Sequence, residues 1–242
     1  MKTSLLLAKM ELKKSVNSNR LWVIITINLF VVVFAYFKVL KVHNRITFDF
    51  LLNSLLMLNG INLLFINANL VWEDFSQGIF KLLKTSNVKI KEYILGKTFF
   101  VVFVNLALLF MVSVLIFPLN LGHFLYYLSN LLFLLFYLFL ISFPATLFLL
   151  LLSLYLPNYS NSLVYFLLIF GSVFLEELTS GLWNKVARYF SMALPNLFKV
   201  GYKLKEFILY GKVNYYLVLY CLLLAFAYFV FLLFALKKRR VI

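Results

Sequence analysis

The triplet Gly96-Lys97-Thr98 resembles the last three residues of a phosphate-binding loop. Such a loop has the form GxxxxGK[ST]. Its backbone N–H groups and its lysine bind the phosphates, and both glycines of the pattern are needed. Lys91 occupies the first glycine position here, and an apolar run of membrane length follows the triplet. We therefore expect no ATP hydrolysis by this motif, and the chain offers no other catalytic or cofactor-binding constellation.

The neighbouring acids Glu176 and Glu177 stand at the end of an apolar run. They resemble the paired glutamates of CAAX-protease-like intramembrane metalloproteases, whose motif is EExxxR. The arginine position of that motif is Gly181, and no histidine follows His123 to bind a metal. An acidic pair at a bilayer edge is a candidate functional feature. The alternative is that the pair marks the outer end of a span and forms ion pairs with Lys185 or Arg188.

Asparagines recur in the second long apolar run, and Asn59, Asn62 and Asn69 share one helix face within about 80°. Amides that face lipid would be costly, so this face is expected to meet another helix or an aqueous path. Two interpretations follow: amides that hold helices together, or the lining of a translocation path or dimer interface. Asn28 and Asn105 are single polar residues in other apolar runs, typical of packing contacts.

The composition places these residues in a membrane protein. The 242 residues are 64% hydrophobic, and the mean hydropathy is +1.00. The formal net charge of +15 comes from basic residues between apolar runs, which is typical of topology determinants beside anionic lipid and does not indicate nucleic-acid binding. One cysteine and two histidines predict neither an intrachain disulfide nor a metal site.

The apolar runs predict an all-α integral membrane protein with one domain, residues 1–242. Its six transmembrane helices are expected at about 21–37, 48–71, 98–117, 124–156, 162–177 and 213–236. Residues 1–20 are predicted to form an amphipathic interfacial helix, with Leu5, Ala8, Leu12 and Val16 on its apolar stripe. The mixed segment 178–212 predicts re-entrant or interfacial helices between spans 5 and 6.

The distribution of positive charge predicts the topology. An even number of spans puts both termini on one side. That side, with the 72–97 loop, carries 14 Lys and Arg residues against 9 on the other. The positive-inside rule therefore favours cytosolic termini and a cytosolic 72–97 loop.

The 72–97 loop is the most strongly charged interval between two apolar runs. Phe75, Ile79, Leu82 and Leu83 form an apolar stripe at helical spacing, and Asp74 or Ser76 is a candidate N-cap. The pattern predicts a helix in the membrane interface whose polar face is available to a cytosolic partner.

The chain resembles the integral-membrane subunit of bacterial ATP-binding-cassette (ABC) transporters of the second permease type. The layout of spans, amphipathic N-terminal helix and basic loop carries this resemblance across nearly the whole chain. The most specific residues are Glu73, Gly78, Leu83, Tyr93 and Gly96-Lys97, which look like the family's acid, glycine, leucine-rich turn and GK before span 3.

The resemblance implies that the 72–97 loop is a coupling helix seated in a separate ATPase subunit. The residues expected to couple are Glu73, Gly78, Phe80, Lys81, Leu82, Leu83, Lys84, Thr85 and Ser86. It further implies two cassette ATPase subunits that bind ATP and Mg, a second permease copy or homologous permease, and a bacterial cytoplasmic membrane. The expected function is export of an amphipathic peptide, an antimicrobial compound or a lipid. The open alternatives are an intramembrane enzyme at Glu176 and Glu177, or a channel or scaffold outside the ABC class.

Overall fold

The computed structural model describes residues 2–17, 19–42, 48–68, 70–79, 85, 88–116, 124–156, 160–178, 181–195 and 215–238. Within these ranges, the backbone alone is described at 2, 20, 39–42, 48–49, 124–130, 169–177, 182 and 190.

The described residues are almost entirely α-helical and contain no strand. Their helices, in chain order, are α1 Lys2–Asn17, α2 Asn19–Val42, α3 Phe48–Asn67, α4 Leu70–Ser76, α5 Ile90–Ile116, α6 Phe124–Tyr155, α7 Ser160–Leu178, α8 Gly181–Ala193 and α9 Tyr215–Lys238. Long runs of Leu, Val and Phe favour this outcome, because a helix satisfies every backbone polar group within its own segment.

Five stretches of the described chain are long and apolar enough to cross a membrane: Leu21–Lys38, Phe50–Ser76, Ile90–Ile116, Leu131–Tyr155 and Tyr215–Lys238. They match five of the six predicted spans and are consistent with a multi-pass membrane protein. The other predicted span, 162–177, falls on α7, which is helical but is not one of these five stretches.

The 72–97 loop is shorter in the structure than the sequence predicts. Helix continues through α4 to Ser76, and α5 begins at Ile90, so the connection between them is 77–89. The apolar run ends before Trp72, but Glu73 and Asp74 lie within α4, and their carboxylates pair with Lys14 and Lys97. The run 124–156 is one helix, α6, with Pro144 inside it.

Helices α3, α5 and α6 form the centre of the bundle. In the most apolar stretch of each of these helices, 56–67% of the residues are buried, against 22% in α2 and 17% in α9. The core is mainly leucine, with Leu55, Leu109, Leu138 and Leu149 fully buried. Helices α2 and α9 therefore lie at the periphery, where their outward aromatic and leucine side chains are exposed.

Both ends of the described chain lie at the same end of the bundle. Helix α1 packs on the start of α5 beside α4. The Ser153 hydroxyl, close to the end of α6, lies within 3.3 Å of the Val71 N–H in α4. The end of α9 lies beside the end of α6, since Lys238 and Tyr155 line the same surface groove.

Helix α8 folds back along α7. It packs extensively on α7, and the Tyr165 hydroxyl, near the start of α7, donates to the Pro195 carbonyl at 2.9 Å. The Tyr228 hydroxyl from the middle of α9 donates to the Ala193 carbonyl. Tyrosines of two helices thus satisfy one backbone carbonyl in the last turn of α8, which has no partner within the helix, and one just after it. Residues 193–195 are thus held by hydrogen bonds from α7 and α9, and Leu194 and Pro195 are buried.

Candidate functional site

Helix α1 lies in backbone contact with α5 at Gly96. A Cβ placed on Gly96 would stand 2.8 Å from the Leu7 Cβ and 2.9 Å from the Ser4 carbonyl oxygen. Neither atom is the far end of a flexible side chain, so only a residue without a Cβ permits this approach. The glycine of the predicted GK pair is therefore a position of close backbone approach between the N-terminal helix and the bundle.

A buried ion cluster forms one residue further along α5. The Lys97 Nζ lies 2.6 Å from the Asp74 Oδ2 and 2.7 Å from the Glu11 Oε1. It also donates to the Leu70 carbonyl at 3.3 Å. The Lys97 and Asp74 side chains are only 3% and 2% exposed. One ammonium thus joins α1, α4 and α5, and its charge is compensated by two carboxylates.

Further side chains extend this cluster. The Tyr93 hydroxyl donates to the Asp74 Oδ2 at 2.8 Å. The Lys14 Nζ, on the half-exposed side, lies 3.2 Å from the Glu73 Oε2 and 3.8 Å from the Asp74 Oδ1. We call Glu11, Lys14, Glu73, Asp74, Tyr93 and Lys97 the basal cluster. It closes the base of the 77–89 connection, because Asp74 precedes that connection and Lys97 follows it.

The predicted capping roles at the start of the loop are wrong. Asp74 lies inside α4 with its carboxylate in the basal cluster, and the Ser76 hydroxyl donates to the Glu73 carbonyl at 3.0 Å. Among the described residues, a cap is present at the start of α5, where the Glu92 carboxylate accepts the Lys89 N–H at 3.3 Å.

The predicted coupling residues are only partly described. Glu73 belongs to the basal cluster, and Thr85 is exposed. Gly78 follows α4 with a φ of +68°, and a Cβ there would meet no atom within 4 Å. Gly78 therefore permits the left-handed backbone of this bend, and its role in coupling stays a prediction. The others, Phe80, Lys81, Leu82, Leu83, Lys84 and Ser86, lie outside the described residues, so their role stays a prediction.

The asparagine face of α3 meets other helices of the same chain. Asn62 and Asn28 exchange two amide hydrogen bonds, of 2.7 and 3.3 Å, between α3 and α2. The Asn105 Nδ2 of α5 donates to the Asn59 Oδ1 at 2.6 Å, and the Ser142 hydroxyl of α6 donates to the same oxygen at 3.1 Å. These are the contacts expected from the first interpretation, in which the amides hold helices together. Asn69 lies outside the described residues, and a place on a translocation path or dimer interface stays a prediction.

Replacing Asn28 and Asn62 by leucine, singly and together, is expected to reveal a coupling energy of about 0.6–1.7 kcal/mol, since each single change strands the other amide in an apolar interior. The measurement is unfolding of the detergent-solubilised protein. The control is the pair Asn28→Leu with Asn105→Leu, because the structure gives these two residues different partners. The effects of the two control changes on the free energy of unfolding are expected to add. If those of Asn28→Leu and Asn62→Leu also simply add, the two amides do not hold α2 and α3 together.

The acidic pair stands in the last turn of α7, where the structure describes the backbone alone. The side chains of Glu176 and Glu177 therefore lie outside the described residues. Lys185 and Arg188, their predicted partners, are exposed on α8. Across the described side chains, no three His, Cys, Asp or Glu residues gather into a group that could hold a metal ion.

Sequence reasoning missed most of the basal cluster. Glu11 is the only acid in the first twenty residues, and Lys97 and Asp74 are ionisable groups at the ends of apolar runs. Charged residues at the ends of apolar runs usually pair with one another, and this tendency was the sequence signal that could have indicated the cluster. Nothing in the spacing of these residues indicates which lysine would meet which acid.

Comparison of the chain with protein-family models, with curated proteins and with solved structures found no match.

Proposed function

We propose that this chain is the permease subunit of an ABC exporter, driven by separate cytosolic ATPase subunits. The observation that carries the proposal is the closed base of the 77–89 connection. The Asp74–Lys97 pair ties both sides of this connection together, and Glu11 adds the N-terminal helix. A force applied to the connection is thus delivered to α1, α4 and α5 together. Coupling between subunits needs such a physical contact with the moving partner.

The remaining architecture fits the same proposal. Under it, α7 is the short fifth span, and α8 is a re-entrant helix that returns into the membrane between spans 5 and 6. Helix α1 is the interfacial helix: Leu5, Leu12 and Val16 are exposed to face lipid. Both termini and the connection lie in the cytosol of a bacterium, at the end of the bundle that holds the basal cluster.

The proposed complex contains two permease chains and two ATPases, and ATP and Mg bind to the ATPases. The substrate class is an amphipathic peptide, an antimicrobial compound or a lipid, which suits a bundle whose core is mainly apolar and also contains buried amides.

Changing Leu83 and Lys84 together to aspartate is expected to leave the chain in the membrane but to abolish ATPase attachment, because two acids replace an apolar anchor and a base at the proposed contact. The chain is purified from its native membranes under mild cross-linking. Co-purifying ATPase subunits and substrate-stimulated ATP hydrolysis are then measured, with at least a tenfold loss of both expected.

The matched control is Leu178→Asp with Lys185→Asp, which makes the same chemical change at exposed residues of α7 and α8. This control is expected to retain the ATPase. The proposal fails if no ATPase accompanies the unchanged chain, or if the Leu83/Lys84 variant keeps full attachment and stimulation.

A further inference from the structure

A surface groove runs between the ends of α6 and α9. Its volume is about 480 Å³. Leu151 and Leu152 of α6 line one wall, and Phe231 and Phe234 of α9 line the other. The groove opens along the side of the bundle, and its lining is predominantly apolar. A lining of this kind fits a hydrocarbon chain lying lengthwise against the helices.

The groove has a polar, positively charged end. Tyr155 and Lys238 lie on its rim in the last turns of α6 and α9, and Lys237 is exposed beside them. The sequence continues with Arg239 and Arg240. The apolar length and the cationic end are thus arranged in the order of a phospholipid, with acyl chains in the bilayer and an anionic headgroup at its surface.

We propose that this groove binds an anionic phospholipid, with an acyl chain between the α6 and α9 side chains and the phosphate at Lys238. Charge complementarity selects this occupant, because basic pockets between membrane helices bind anionic headgroups. A lysine at the rim would give no benefit to a wholly apolar substrate or to a second, equally basic copy of this chain. The inference requires only that the helices lie in a bilayer, and it holds with or without an ATPase partner.

The test uses the full chain, purified in detergent and incubated with phosphatidylglycerol or with phosphatidylcholine of the same acyl chains. Native mass spectrometry counts the lipid that stays bound. The unchanged chain is expected to retain phosphatidylglycerol at least tenfold better. Changing Lys237 and Lys238 to glutamine removes two charges, each of which contributes about fivefold to binding at a membrane surface. The preference is therefore expected to disappear.

Two further variants distinguish binding in the groove from general attraction of lipid to a basic protein. Changing Lys9 and Lys13 to glutamine removes two exposed charges from α1, at the same end of the bundle, and is expected to keep the preference. Ala235→Trp fills the groove, where Ala235 is a lining residue, and is expected to reduce retention of both lipids.

Three results would overturn the proposal. The first is equal retention of the two lipids by the unchanged chain. The second is an equal loss of the preference in the α1 variant, which would indicate general electrostatic attraction. The third is that Ala235→Trp either retains both lipids fully or converts a dimer to a monomer. Conversion to a monomer would assign the groove to a second copy.

Discussion

Replacing Lys97 with methionine is expected to lower the free energy of unfolding by about 3–5 kcal/mol, because it leaves the Asp74 and Glu11 carboxylates buried without their cation. This is a large part of the total stability of a typical domain. The measurement is the thermal unfolding of the detergent-solubilised protein, together with its yield from membranes.

Two further variants serve as controls for Lys97→Met. Lys91→Met removes an exposed lysine from the first turns of the same helix and is expected to change little. The combined change Glu11→Gln, Asp74→Asn and Lys97→Met removes the ammonium and the two carboxylates that contact it, and leaves the Lys14–Glu73 pair in place. It should recover much of the loss, since a buried ionic group replaced as a whole is often nearly neutral for stability. If Lys97→Met unfolds at the same temperature as Lys91→Met, the basal cluster does not stabilise the fold.

Replacing Gly96 with leucine is expected to displace α1 from the bundle. The Leu7 Cβ and the Ser4 carbonyl oxygen occupy the space that a side chain would need, and both are fixed to the α1 backbone. The helix can make room only by moving as a unit, which separates Glu11 from Lys97. Limited digestion with trypsin reports this movement, because the lysines of α1 are cut quickly only when the helix opens locally. We expect cleavage to accelerate by more than tenfold.

The control for this variant is Gly78→Ala. It also replaces a glycine, but at a bend with open space around it, so it carries only the cost of a left-handed backbone, about 1–2 kcal/mol. It should leave α1 as resistant to trypsin as the unchanged chain. Unchanged digestion of Gly96→Leu would mean that α1 does not depend on the close approach at Gly96.

The sequence by itself determined that the long apolar runs are helices, but not where each helix begins and ends. Within a long apolar run, a helix is the way for the backbone to satisfy its own polar groups. The predicted spans 21–37 and 213–236 accordingly fall on α2 and, over the described residues, on α9. Helical periodicity also determined which residues share a face, as it did for Asn59 and Asn62. The structure buries both of these side chains.

Periodicity does not say which helix a face will meet. Asn62 meets Asn28 and Asn59 meets Asn105 only because α2 and α5 both pack on α3. The predicted two-faced pattern of α1 was incomplete for the same reason. Its exposed apolar stripe and exposed lysines leave a third face, with Ser4 and Glu11, that is turned toward α5.

The tertiary structure alone decided the candidate site. Glu11, Asp74 and Lys97 are far apart in the chain, and each has the local sequence of an ordinary interfacial charge. Their cluster depends on the closeness of α1 to α5, which Gly96 permits, and on the continuation of helix through α4. Sequence patterns register only neighbours along a helix, whereas a buried lysine is stabilised by whichever acids the packing of helices brings within a hydrogen-bond distance.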